Sequence, residues 1–77
     1  MIALIYQVRY QKNFKNRVNR KVKIFVEGPE DIKNDTIMVK LKESIANYGE
    51  KMSVDKVKIH EARLIMEEEV PEDVICG

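Results

Sequence analysis

The residues in this chain best suited to chemistry are cations. From Val8 to Lys23 it reads VRYQKNFKNRVNRKVK, with Arg9, Lys12, Lys15, Arg17, Arg20, Lys21 and Lys23 and no carboxylate among them. Ammonium and guanidinium groups spaced along a strand or ribbon can neutralise successive phosphates and release their counterions, which makes binding salt-dependent. Asn13, Asn16 and Asn19 add groups that reach phosphate oxygens or base edges. Phe14 or Phe25 adds a ring on which a base can stack. The expected site is therefore Arg9, Lys12, Phe14, Lys15, Arg17, Arg20, Lys21 and Lys23, and its leading partner is nucleic acid, RNA or DNA. An acidic protein surface is the alternative partner. The same side chains would also keep an open sheet dissolved and deter edge pairing. No RNP-type aromatic pair, GXXG clamp or zinc knuckle accompanies them, so the signal is electrostatic.

Other reactive residues do not assemble into a motif. A catalytic His60 would need a nucleophile and an orienting group. Ser44 falls on a helix, Ser53 in a loop and Cys76 at the penultimate position, with nothing to bring them together. Glu67, Glu68 and Glu69 are consecutive, so on a strand they alternate faces and do not converge on a cation. With one histidine and one cysteine, the chain has too few ligands of these types for a structural zinc site. The expectation is no catalytic residue, no metal, no cofactor and no enzymatic activity.

The charge is divided along the chain. Residues 1–26 carry seven bases and no acid, whereas residues 27–77 carry the other seven bases and all thirteen acids, so +7 and −6 make the net +1. Such a split points to a polyanion, an acidic partner or head-to-tail self-association. Seventy-seven residues suffice for one domain over residues 1–70, with an acidic tail at residues 71–77. Aromatic residues are 6%, so the core must come from Ile, Val, Leu and Met, and a homo-oligomer would add stability to so small a core. MIALIY is too short for a signal peptide or a membrane span. The lone Cys76 suits a reducing compartment, and a cytoplasmic location is expected.

The elements that must position these groups can be read from periodicity. Ile2, Leu4, Tyr6, Val8 and Tyr10 alternate as in a half-buried strand, and Val22, Ile24 and Val26 repeat the pattern. The two strands are expected to pair as a hairpin, joined by a long basic arm of roughly QKNFKNRVN, flexible or ribbon-like. Gly28-Pro29 ends the second strand, and PED there and at Pro71 reads as a Pro-initiated turn. Ile37, Met38, Leu41, Ile45 and Tyr48 form a helical stripe, with Asn34 or Asp35 as N-cap and Gly49 as a left-handed C-cap. TIMVKLK also alternates as a strand would, but the caps and the continuation to Tyr48 favour the helix. In DKVKIHEARLIMEE, Val57 and Ile59 share one parity and Ala62, Leu64 and Met66 the other, so a β-bulge at His60–Glu61, or else a twist where the strand leaves the sheet, is expected. The expected fold is α+β: a two-layer β-β-α-β unit, a three-stranded mostly antiparallel sheet with one helix on one face. The third strand could alternatively run parallel to the first. The face left open would show Gln7, Arg9, Lys21, Lys23, Phe25, Lys58, His60 and Arg63.

This layout, with LIYQVRY, KVKIFVEG, one helix and a strand running into EEEV, resembles small proteins of bacteriophages and mobile elements of Gram-positive hosts. The resemblance lies in element order and Lys/Ile-rich composition and carries no functional residue across. It implies a protein that binds a host or phage macromolecule, including inhibitors of host defence systems.

Overall fold

The computed structural model describes residues 1–13 and 16–71. Three strands, β1 (Ile2–Lys12), β2 (Asn16–Val26) and β3 (Val57–Glu69), form one sheet in the order β2-β1-β3. Both pairings are antiparallel, so the parallel alternative for the third strand does not hold. The helix α1 (Asn34–Ser44) packs against β2 and β3 on one face of the sheet, giving the two-layer α+β architecture.

The hairpin ladder extends further than the sequence suggests. β1 and β2 pair without a register shift from Ile2↔Val26 to Lys12↔Asn16. Most of the QKNFKNRVN segment is thus paired ribbon, and only residues 13–15 connect the strands. Asn13 has φ 53°, a left-handed geometry that its short polar side chain tolerates, and its N–H donates to the Lys56 carbonyl at 3.1 Å.

On the helix side, Leu4, Val8, Tyr10, Val22, Ile24 and Val26 are buried against Ile37, Leu41 and Ile45. The i, i+4, i+8 spacing of those three helical residues puts them on one stripe. Met38 packs at its margin, whereas Val39, which the strand alternative would have buried, is exposed. At the N-terminus the capping position is Lys33, without a side-chain bond, so neither Asn34 nor Asp35 is the cap.

The end of the helix departs from expectation. After Ser44 the chain widens into a π-type turn, Ile45–Gly49, closed by the Glu50 N–H donating to the Ile45 carbonyl at 2.7 Å. Residues in such a turn advance by less than the roughly 100° of an α-helix. Tyr48 therefore rotates off the stripe and is 84% exposed. The left-handed residue that follows is Lys51, φ 53°, not Gly49, and the Met52 N–H donates to the Ala46 carbonyl at 2.8 Å. A side chain in that conformation costs about 1 kcal/mol. Lys51→Gly should accordingly raise unfolding stability by about 0.5–1 kcal/mol, measured by denaturant titration; a loss of stability would contradict this description of the turn.

In β3 the bulge falls where expected. Arg9 pairs with Glu61 and Tyr10 with Ile59, leaving His60 as the extra residue. A second bulge was not anticipated. Ile5 pairs with Met66 and Tyr6 with Leu64, leaving Ile65 extra. Ala62 and Leu64 thus lie on the helix side and Met66 on the open side, which corrects the shared face expected for all three. The three apolar residues Leu64-Ile65-Met66 conceal the change of parity. The 3-10 turn at Pro29–Asp31 forms as expected; the Pro71 turn extends outside the described residues. Among the described residues, no helix is long and apolar enough to cross a membrane.

Candidate polyanion-binding face

Side chains alternate along a strand, so the cross-strand register assigns each cation to a face. On the face without the helix, the partners across β2, β1 and β3 are Arg17–Gln11–Lys58, Asn19–Arg9–Glu61, Lys21–Gln7–Arg63, Lys23–Ile5–Met66 and Phe25–Ala3–Glu68. Arg9, Arg17, Lys21, Lys23, Lys58 and Arg63 stand there against two carboxylates, Glu61 and Glu68. Successive rows are about 7 Å apart, and Lys21 and Arg63 flank Gln7 at about 10 Å from each other. Short polar contacts order the surface. Gln7 Nε2 donates to Asn19 Oδ1, and His60 Nε2 lies 3.3 Å from Gln11 Oε1. Arg9 Nη1 is 3.9 Å from Glu61 Oε2, with both side chains more than half exposed; such a pair contributes at most about 1 kcal/mol and yields readily to a stronger anion.

Towards the other end, the same face turns apolar. Ile5 is half-buried, while Phe25, Ile65 and Met66 are 42%, 47% and 51% exposed. Lys23 Nζ stands 5.6 Å from the centre of the Phe25 ring, within reach of the attraction between a cation and an aromatic face.

Two of the expected site residues lie elsewhere. Lys12 and Arg20 have the opposite parity and project from the helix side, where both meet Glu50. Lys12 Nζ is 3.2 Å from Glu50 Oε1, and Arg20 Nη2 is 3.8 Å from Oε2. The Tyr10 hydroxyl donates to Oε2 at 2.6 Å. Glu50 is 11% exposed, and its carboxylate fastens the widened turn to the hairpin. Phe14 and Lys15 lie outside the described residues.

The Tyr10–Glu50 bond sets two titrations. Burial, then the bond to the carboxylate, pushes Tyr10 up to about 12. The bond from Tyr10, aided by the one from Lys12, outweighs desolvation and holds Glu50 below its ordinary value of 4.5. A raised tyrosine pKa contributes stability that is complete below about pH 10 and lost as pH rises through about 12. A lowered carboxylate pKa contributes stability that is present above pH 4.5 and lost as pH falls through the folded-state value. The melting temperature should therefore be level from about pH 5 to about pH 10 and fall on both sides. In Tyr10→Phe the alkaline fall should shrink; an unchanged alkaline arm would place the titrating group elsewhere.

At the opposite end of the sheet, Glu27, Glu67 and Glu69 border a hollow of about 430 Å³ with Met1, Ile2 and Pro29. Among the described residues, no three His, Cys, Asp or Glu side chains come together as a metal-holding group. Two functional candidates, Glu50 and Tyr48, had no signal of their own in the sequence. Glu50 contacts residues 38 and 40 positions away, and Tyr48 looked like the last residue of the core stripe. The division of the basic stretch was present in the parity of Arg17, Lys21 and Lys23 against Lys12 and Arg20, once the strands are extended to the turn. Compared with known proteins, the chain matches no family model, no curated protein and no solved structure.

Proposed function

We propose that this protein is a small non-enzymatic module that binds nucleic acid through the open face of its sheet and the hairpin beside it. The observation that carries this reading is the shared face of Arg17, Lys21, Lys23, Lys58 and Arg63, with Gln7, Gln11 and Asn19 between them. Cations at strand spacing supply most of the affinity through phosphates, while the amides fix orientation. The single cysteine in the sequence, Cys76, suits work in the reducing cytoplasm. Fluorescence anisotropy with short labelled RNA, single-stranded DNA and duplex DNA tests the proposal. Five engaged cations give a slope of about −3.5 in log affinity against log salt on a single strand. Affinity indifferent to salt, or no binding to any probe, contradicts it.

A second reading is favoured by the apolar rows at Ile5, Phe25, Ile65 and Met66. In it the protein docks on an acidic surface of a host protein, as an inhibitor of the phage or mobile-element kind would. An apolar centre beside a charged rim is how protein interfaces are commonly built. Binding that survives nuclease treatment, with no affinity for free oligonucleotides, would select it.

A further inference from the structure

Tyr48 is an aromatic residue that the core does not use. It borders two adjoining hollows along the outer edge of β2. Lys23, Phe25, Lys40 and Asn47 line one of them, and Arg20, Lys21 and Gly49 line the other. Ser44 and Lys23 belong to both, so the hollows form one groove around the outer edge of β2, bordered from the open face by Lys21, Lys23 and Phe25 and from the helix face by Arg20, Lys40 and the widened turn. From Arg20 to Phe25 the groove runs roughly 17 Å along the strand. Glu43 is the carboxylate in its lining, against the four cations Arg20, Lys21, Lys23 and Lys40.

Two partly bare rings, flanked by ammonium and guanidinium groups, offer unstacked bases a π surface while the neighbouring cations meet the phosphates. A duplex keeps its base faces stacked and cannot use such rings. We infer that this groove binds single-stranded nucleic acid, with Tyr48 and Phe25 as stacking platforms and Lys21 and Lys23 on the backbone. The inference rests on the polyanion reading above and narrows it to single strands.

Tyrosine fluorescence gives a direct readout. The chain has no tryptophan and three tyrosines, of which Tyr6 and Tyr10 are buried. A single strand of about ten nucleotides, of the order of the site size of one binding fold, should quench Tyr48 emission and bind more tightly than a duplex of equal length. Tyr48→Ser removes an exposed side chain, so circular dichroism should stay unchanged. It should weaken single-strand binding by about 5- to 150-fold, the effect of losing one stacked base, and leave inorganic polyphosphate binding within about twofold, since phosphate contacts persist. Tyr48→Phe, which retains the ring, should bind as wild type. If Tyr48→Ser binds single strands as wild type does, while Arg17→Glu, Lys21→Glu and Lys23→Glu together abolish binding, the groove assignment falls and the polyanion reading stands. Equal affinity for duplex and single strand also overturns the groove assignment. Failure of wild type to bind any probe overturns both.

Discussion

Reversing Arg17, Lys21 and Lys23 together to glutamate should reduce nucleic-acid affinity by about 100-fold or more in roughly 0.1 M salt. Each phosphate contact on a single strand contributes about 0.7 to the salt slope, so losing three lowers it by about 2. Extrapolated from a 1 M reference, a slope change of 2 is a factor of about 100 at 0.1 M, and repulsion from three new carboxylates adds to it. The fold should tolerate the change, because all three are exposed side chains on an edge strand. None of them is in an ion pair among the described residues. The same reversal at Lys33 and Lys42, which lie outside that face, should shift affinity far less. Equal losses in the two variants would mean that net charge, not the sheet face, governs binding.

Glu50→Ala should produce the largest loss of stability among the polar substitutions. It strips the acceptor from the hydroxyl of Tyr10, a fully buried residue, and hydrogen bonds to charged groups contribute about 1.5–3 kcal/mol. The pairs to Lys12 and Arg20, whose side chains are 36% and 45% exposed, add less than about 1 kcal/mol each. A total near 3 kcal/mol would lower the melting temperature of a domain this size by roughly 12–24 °C. In a Tyr10→Phe background the same substitution should cost about 1 kcal/mol, since only the ion pairs remain to be lost. Inorganic polyphosphate affinity should move the other way, because Glu50→Ala releases Lys12 and Arg20 from their carboxylate. Single-strand affinity, assayed while the variant is still folded, should fall, because the loosened turn no longer holds Tyr48 beside β2.

The chain states its local rules plainly and its long-range ones poorly. Alternation from Ile2 to Tyr10 and from Val22 to Val26 was enough to place two half-buried strands, and the parity change at His60 placed a bulge. Periodicity failed where side-chain type was uninformative. Leu64-Ile65-Met66 is apolar at every position, so the second bulge left no mark. Asn13 to Asn19 is polar at all but two positions, so the first strand seemed to end at Tyr10 and the arm to run to about Asn19. The widened turn after Ser44 depends on the packing of Ile45 and Ala46 and on the anchorage of Glu50 across the hairpin, and no pattern within five residues encodes it. The basic stretch raised an electrostatic question without showing that strand parity would divide it. Arg17, Lys21 and Lys23 face the open surface, while Lys12 and Arg20 are drawn to Glu50 on the other side.

The most direct test of the account is a ¹⁵N–¹H NMR titration of wild-type protein with a short single-stranded oligonucleotide, mapping which amides move. Shifts should be concentrated at Arg17, Lys21, Lys23, Gln7 and Arg63, extend to Asn47 and Tyr48 along the β2 edge, and be reversed by added salt. Shifts confined to the acidic end around Glu27 and Glu67–Glu69, or to the exposed side of the helix near Asp35 and Val39, would contradict it.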